Sequence, residues 1–237
     1  MYETRLQEAL PVVRERIEAA RRRRGGDPVT LVAVTKGHPL AAVEAAVAAG
    51  LGDCGENRVL ELETKRLELE TRSPDTAAGV KWHLIGHVQR NKVRRALPLF
   101  QLVHSVDSER LAAELSAEAG RAGATVALLL QVNVSGEASK SGFGGDDAFI
   151  AAAQRVAALP GLHVQGLMTM APFTADERLL RETFRATRAL FERCAREVPG
   201  FEASHLSMGM SNDYEIAIEE GSTMVRLGTV LFGERQP

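Results

Sequence analysis

Short apolar and β-branched runs alternate along this chain with longer stretches of helical period, and this alternation is the strongest constraint on its fold. The candidate strands are Val29–Val34, Val80–Ile85, Leu102–Val106, Val126–Val134, His163–Met170, Ser204–Met208 and Met224–Leu227, with a weaker one at Gly52–Gly55. Between them lie predicted helices such as Pro39–Ala49, Ser108–Ala119, Asp146–Ala158 and Ala175–Glu197. Regular alternation of strand and helix predicts a parallel sheet with helices outside it.

The number and spacing of these units predict a single closed (β/α)8 barrel. Eight units in 237 residues have the size of such a barrel, and an open doubly wound sheet is the alternative. Residues 2–24 predict an additional N-terminal helix, because apolar residues recur there at helical spacing and Gly25 follows as a stop signal. We expect one domain over residues 1–237, with residues 234–237 as a short tail.

The composition excludes several classes of protein. A formal net charge of −2 gives no basic field for nucleic acid or an anionic membrane, and no apolar run approaches the roughly 20 residues that span a bilayer. Cys54 and Cys194 are too few for a disulfide framework or a metal cluster, and the N-terminus has no signal pattern. We therefore expect a cytoplasmic protein that binds neither nucleic acid nor membrane and holds no metal.

Lysine is scarce in this chain and arginine is common. Of the 29 basic residues only five are lysine, namely Lys36, Lys65, Lys81, Lys92 and Lys140. Compositional bias explains most of the difference, yet each lysine is a candidate for a role that arginine cannot fill. Lys36 is the strongest candidate, and the other four are consistent with surface positions. Lys140 lies in a glycine-rich loop that either covers a pocket or is simply exposed.

Lys36 ends the first predicted strand, just before Gly37 and a proline that opens the next helix. In both candidate architectures, functional groups gather at the carboxyl ends of strands. Burial there lowers the pKa of an amine and frees it as a nucleophile toward carbonyl groups. A lysine whose ammonium reaches water from the barrel mouth is the equally weighted alternative.

The last two predicted strands end in a second candidate site. Arg226 lies among apolar residues in the final strand, and Gly228 and Thr229 follow at its end. The preceding strand ends in a polar loop that contains Ser207 and Ser211. Glycine allows close approach of backbone N–H groups to an anion, hydroxyls add donors, and barrels commonly bind phosphate at these loops. Two ordinary glycine-containing turns are the alternative interpretation.

A nucleophilic lysine, a phosphate site and a buried arginine that faces a ring nitrogen together form a binding site for pyridoxal 5′-phosphate (PLP). The motifs Val34-Thr-Lys36, Gly55-Glu-Asn57, Trp82-His-Leu-Ile-Gly-His-Val-Gln-Arg-Asn-Lys92, Gly166-Leu-Met168, Leu206-Ser-Met-Gly-Met-Ser211 and Val225-Arg-Leu-Gly-Thr229 occur in that order. Over nearly the whole chain this sequence resembles the pyridoxal phosphate homeostasis protein family, whose barrel is similar to the N-terminal domain of alanine racemase.

That resemblance implies a role for each candidate residue. Lys36 would carry PLP as an internal aldimine, and Arg226 would lie beside the pyridine nitrogen. Gly228 and Thr229 would bind the phosphate together with the loop of Ser207 and Ser211, without a decision between those two serines. Asn57 would lie beside the cofactor ring. PLP-dependent apo-enzymes are the implied candidate partners of a monomeric carrier.

The implied function is intracellular vitamin B6 homeostasis without a committed catalytic step. An arginine only donates hydrogen bonds and so favours an unprotonated pyridine nitrogen, which makes the ring a poorer electron sink. An amino-acid racemase is the alternative, and of the two tyrosines in this chain Tyr214 is then the candidate second acid or base. A cofactor-free Schiff-base aldolase is a third possibility. The short chain favours the carrier, because a barrel-type racemase completes its site with a second domain.

Two histidine patterns suggest other chemistry and are given little weight. His83 and His87 have the spacing of metal ligands on a helix, but His83 lies in a predicted strand, so the two faces do not match. His205 beside Ser207 resembles part of a nucleophilic triad, but the motif that exposes such a serine is missing.

Overall fold

A parallel barrel forms the centre of the molecule. The computed structural model describes residues 1–136, 141–145 and 147–235. The strands are β1 (Thr30–Val34), β2 (Asp53–Glu56), β3 (Lys81–Leu84), β4 (Leu102–Val106), β5 (Val126–Asn133), β6 (Phe143–Gly144), β7 (Leu162–Met168), β8 (His205–Ser207) and β9 (Met224–Leu227). The helices are α1 (Tyr2–Arg24), α2 (Leu40–Ala48), α3 (Val59–Arg72), α4 (Pro74–Ala78), α5 (Val93–Ala96), α6 (Glu109–Ala122), α7 (Asp147–Ala157), α8 (Glu177–Glu197), α9 (Tyr214–Glu219) and α10 (Thr229–Phe232).

The strand order closes the sheet on itself. The order β4-β3-β2-β1-β9-β8-β7-β5 runs around the barrel, and a further pairing between β4 and β5 completes the circle. The two-residue strand β6 pairs only with the end of β5. The predicted (β/α)8 barrel with an additional N-terminal helix is therefore confirmed, and the open doubly wound sheet is wrong.

Apolar side chains fill three parts of the core. Inside the barrel, Val32, Leu129 and Met168 meet across the strands. One outer cluster packs helices α5 to α8 against the barrel wall, and the other packs α1, α2, α9 and α10. Helix α1 joins the second cluster through its predicted apolar stripe. It ends at Arg24, and Gly25 follows with a φ of 75°, which suits glycine.

None of the described helices is long and apolar enough to cross a membrane.

Candidate functional site

The candidate site is a cavity of about 410 Å³ at the carboxyl ends of the barrel strands. Lys36 reaches it from the end of β1, Arg226 from β9, and Ser211 from the loop after β8. Gly228 and Thr229 line the same cavity at the start of α10. The structure thus brings together five of the seven residues that the sequence analysis singled out for cofactor binding.

Lys36 lies in a tight turn. The N–H of His38 donates to the carbonyl of Thr35 at 3.0 Å, and Gly37 adopts a φ of 72° inside the turn. A left-handed residue at this position is what a type II turn requires, and glycine supplies it without strain. Burial lowers the pKa of the Lys36 amine, and the cations Arg235 and Arg226 lower it further. A larger fraction of the amine is therefore unprotonated and nucleophilic at neutral pH.

Arg226 is buried inside the barrel wall and is held by uncharged partners. Its Nη1 donates to Ser207 Oγ at 2.6 Å, and its Nη2 donates to the carbonyl of Thr169 at 2.9 Å. Burial lowers the pKa of the guanidinium to about 10, and Asp213 opposes this through its charge. Arg226 therefore remains a cation at neutral pH and can act only as a hydrogen-bond donor.

The two candidate serines occupy different places. Ser211 lines the cavity, where its Oγ accepts a long hydrogen bond from the N–H of Val230 at 3.4 Å. Ser207 is completely buried in β8 and contacts Arg226 and His104. Its hydroxyl supports the arginine from the barrel interior and does not line the cavity.

A chain of hydrogen bonds continues from Ser207 across the barrel interior. Ser207 Oγ lies 3.0 Å from His104 Nδ1, His104 Nε2 lies 2.9 Å from His83 Nδ1, and His83 Nε2 lies 3.0 Å from Asp53 Oδ1. Burial lowers the pKa of His104 well below its ordinary value, and nearby His83 and Arg226 lower it further. His104 is thus neutral at physiological pH.

The two ends of this chain set the direction of its hydrogen bonds. Burial raises the pKa of Asp53, but the hydrogen bond to His83 contributes to a net lowering, so this carboxylate only accepts. Arg226 only donates. His83 Nε2 therefore donates to Asp53 at one end, and Ser207 Oγ accepts from Arg226 at the other. The histidine beside Ser207 is His104 from β4 and not His205, the sequence neighbour.

Asn57 does not reach the same cavity. It lines a second cavity of about 440 Å³, together with Val59, His87, Gln89 and Lys92. Gly86 packs directly on the backbone of Asn57, where a side-chain carbon on Gly86 would lie 2.3 Å from the Asn57 carbonyl oxygen. Its contact with a cofactor ring stays a prediction.

Tyr214 does not line the cavity either. Only 4% of this residue is exposed, and it packs with α1 in the outer apolar cluster. The expectation that Tyr214 is the local acid or base is therefore wrong, because its side chain joins the outer apolar cluster and does not line the cavity. The other tyrosine, Tyr2, lies closer to the site, with its hydroxyl 3.2 Å from Nδ1 of the cavity residue His38. Lys140 lies outside the described residues.

Sequence reasoning missed several cavity residues. His38, Phe173, Glu234 and Arg235 all line the cavity. The expected tail therefore returns to the site at Glu234 and Arg235, for which the sequence offered no signal. Phe173 lies at the rim and is 91% exposed. Its position after a strand end, in a proline-containing loop, is the sequence signal that could have identified it as a cavity residue.

The expectation that the other four lysines lie on the surface is wrong for Lys65. Its residue is only 6% exposed, because α3 turns this side chain toward the ends of β1 and β2. There Lys65 Nζ contacts the carbonyl of Thr35, Glu56 and Glu61.

Comparison with known proteins gives consistent matches over almost the entire chain. Residues 9–236 match the family described as alanine racemase, N-terminal domain. The pyridoxal phosphate homeostasis protein of Pseudomonas aeruginosa is 42% identical over 230 residues, which are 96% of this chain and 95% of that protein.

Solved structures agree with these sequence matches. The structure of PipY from Synechococcus elongatus with PLP bound has a TM-score of 0.79 and 36% identity, and the match covers 92% of this chain and 99% of PipY. Alanine racemase from Clostridium difficile, in complex with cycloserine, has a TM-score of 0.72 at 15% identity, over 97% of this chain and 60% of the racemase. At that identity the racemase shares the fold alone.

Proposed function

The chain belongs to the pyridoxal phosphate homeostasis protein family, and we propose that it binds PLP through Lys36 and serves PLP homeostasis as a reversible carrier. The observation that carries this proposal is the cavity in which a half-buried amine, a buried guanidinium and two hydroxyls converge. A relative that covers nearly the same length is described with PLP bound.

The chemistry of the lining residues fits PLP. Arg226 and Arg235 are positive and Glu234 is negative, so the lining carries net positive charge suited to a phosphate dianion even without Lys36. Gly228 packs closely against the end of β1, where a side-chain carbon would lie 3.2 Å from the carbonyl oxygen of Val34. Ser211, Thr229 and Gly228 would hold the phosphate, and Ser207 would act only by supporting Arg226.

Each residue has a separate task. When bound, PLP supplies an aldehyde that reacts reversibly with amines and a ring that can accept electrons. Lys36 offers the amine whose lowered pKa favours that reaction. Arg226 would donate to the ring nitrogen, and its retained charge keeps it from accepting a proton there. This arrangement favours holding the cofactor over carbanion chemistry.

The positions of the tyrosines support a carrier over a racemase. A two-base racemase needs a second acid or base beside the substrate. Tyr214 is buried away from the cavity, and Tyr2 contacts the site only through His38. We propose that no committed catalytic step takes place, that the protein works in the cytoplasm as a monomer, and that PLP-dependent apo-enzymes receive the cofactor.

Borohydride reduction followed by peptide mass mapping tests the binding proposal. Reduction of the PLP-loaded protein should place a phosphopyridoxyl group on Lys36, and the Lys36→Ala variant should take up none. Lys81→Ala is the matched control, because Lys81 is an exposed strand residue. Label on another lysine, or undiminished labelling of Lys36→Ala, would overturn the assignment.

Incubation of the PLP-loaded protein with L-amino acids in deuterated water tests the carrier against the racemase. A carrier leaves both the configuration and the hydrogen at Cα unchanged. Inversion of configuration with uptake of deuterium would establish catalysis at this site and contradict the proposal. A colourless protein without bound PLP would instead favour a cofactor-free aldolase.

A further inference from the structure

A buried ionic cluster holds the two backbone neighbours of Lys36. Lys65 Nζ donates to the carbonyl of Thr35 at 2.8 Å, to Glu56 Oε1 at 2.7 Å and to Glu61 Oε1 at 2.9 Å. We call Lys65, Glu56 and Glu61 the Lys65 cluster. Thr35 Oγ1 also donates to Glu56 Oε1 at 2.6 Å, and the N–H of Gly37 donates to Glu61 Oε1 at 2.6 Å.

The chemistry of this cluster requires lysine. An ammonium group has three N–H bonds in a compact tetrahedral arrangement, and the three acceptors use all of them. A guanidinium is planar and presents its donors as a fork, which cannot point at three convergent oxygens. Lys65 is therefore a second position at which this arginine-rich chain keeps lysine for a structural reason.

The cluster acts on Lys36 from both directions along the chain. The carbonyl of Thr35 precedes Lys36 and accepts from both Lys65 and His38. The N–H of Gly37 follows Lys36 and is held by Glu61. Because the groups on each side are fixed by α3, the position of the lysine backbone depends on this helix.

The cluster also sets part of the electrostatic field at the amine. Glu56 from β2 and Glu61 from α3 raise the pKa of Lys36, whereas Arg235 from the C-terminal segment and Arg226 from β9 lower it. Glu56 Oε2 is buried without a hydrogen-bond partner, and its burial raises the pKa of this carboxyl to about 7. The charge near Lys36 therefore changes in the physiological range.

We propose that Lys65, Glu56 and Glu61 are positioning residues that fix the turn around Lys36 and thereby set the rates at which the protein captures and releases PLP. This inference rests on the proposed function. A turn held at both ends keeps the amine in one place for its reaction with the aldehyde, and a loosened turn loses that advantage.

Two measurements on Glu61 variants test the inference. The first is the rate of PLP loss from the loaded protein into a phosphatase that destroys free PLP. The second is acylation of Lys36 in the PLP-free protein between about pH 6 and pH 10, which spans lysine titration and is quantified by peptide mass spectrometry. Glu61 is partly exposed, with 25% of its side chain accessible, so its variants should fold.

Glu61→Ala and Glu61→Gln separate the hydrogen bond from the charge. Glu61→Ala removes both, so PLP loss should accelerate about fivefold and the midpoint of Lys36 acylation should move down by about half a pH unit. Glu61→Gln keeps an acceptor for the N–H of Gly37, so PLP loss should stay within about twofold of the unmodified protein, whereas the midpoint should still move. Lys65→Arg should accelerate PLP loss as Glu61→Ala does.

Glu70→Ala is the matched control, because it removes an ion pair with Arg66 from the same helix without touching the turn. It should change neither measurement. The inference would be overturned if Glu61→Ala lost PLP at the normal rate and the midpoint of its Lys36 acylation did not move. It would also be overturned if Glu70→Ala changed both measurements as much as Glu61→Ala does. Acylation uses protein without PLP, so it still tests the cluster if reduction finds no PLP on Lys36 and the proposed function fails.

Discussion

Lys36 and Arg226 are two cations of the same cavity, but the protein holds them in opposite ways. The turn around Lys36 is fixed by ionised or ionisable groups of the Lys65 cluster. Arg226 donates hydrogen bonds to the Ser207 hydroxyl and to a backbone carbonyl, and the Ser207 hydroxyl also contacts the neutral imidazole of His104. The charge near the Lys36 amine can therefore change with pH, whereas the hydrogen-bond partners of Arg226 are uncharged.

The two supports should respond to pH with opposite signs. Burial raises the pKa of Glu56 to about 7, so the folded state binds its proton more tightly than the unfolded state and loses stability as pH rises through that range. Burial lowers the pKa of His104, so the folded state resists its protonation and loses stability as pH falls below the ordinary histidine value. Glu56 therefore favours the acid end of this pH range, and His104 favours the neutral end.

The largest effect is expected when the Lys65 cluster loses its cation. Lys65→Met leaves Glu56 buried without its ion pair, which should lower the free energy of unfolding by about 3–5 kcal/mol at pH 8. At pH 5 the loss should be smaller, because Glu56 is then protonated in both proteins. Urea unfolding at the two pH values measures this difference. Lys81→Met, at an exposed position, should change stability by less than about 0.5 kcal/mol, and an equal loss for Lys65→Met at both pH values would contradict the expectation.

The uncharged groups that support Arg226 should show a smaller effect. His104→Gln disturbs the contacts to Ser207 and His83 in the fully buried interior, which should cost about 2–3 kcal/mol at pH 7.5. The difference from the unmodified protein should shrink toward pH 5, where the unmodified protein itself is weakened. Urea unfolding across this range is the measurement, with His87→Gln at an exposed position as control. A difference that grows toward acid pH would refute the neutral assignment.

A neutral isostere at position 56 isolates the part of the pH dependence of the free energy of unfolding that comes from Glu56. The free energy of unfolding of Glu56→Gln, relative to that of the unmodified protein, should rise by about 1–2 kcal/mol between pH 5 and pH 8. The variant no longer ionises inside the core, which is the reason for the gain. Glu118→Gln is the control, since Glu118 is a buried glutamate on α6 paired with Arg121. If the free energies of unfolding of the two variants change with pH in the same way, the pH dependence does not come from Glu56.

The sequence predicted the barrel and the two cations because these depend on local signals. Each strand is a short apolar run with a polar residue at its end, so Lys36 could be placed at a strand end without knowledge of its neighbours. Arg226 was recognisable as a charged residue inside an apolar run. Gly228 and Thr229 followed from the same strand end. In each case the surrounding few residues carry the information.

The supports could not be predicted because their partners come from distant parts of the chain. His104 and Ser207 are 103 residues apart in sequence and meet only because closure of the barrel brings side chains of β4 and β8 together in its interior. Lys65 lies in a glutamate-rich helix whose i,i+4 spacing is typical of exposed ion pairs, and only the docking of α3 against β1 and β2 buries it. Strand alternation alone does not show which side chains meet in the interior.

The smallest expected effect concerns the turn itself. Two glycine variants separate the cost of backbone strain from the effect on the position of Lys36. Gly37→Ala and Gly123→Ala both place a side chain on a glycine with positive φ, of 72° and 60°, so each should lose about 1 kcal/mol of stability. Gly123 has open space around it, whereas an added carbon at Gly37 would lie 2.8 Å from Cδ of Arg235. Only Gly37→Ala should therefore also accelerate PLP loss. Urea unfolding and the phosphatase assay measure the two quantities, and equal PLP loss from both variants would show that the turn does not control Lys36.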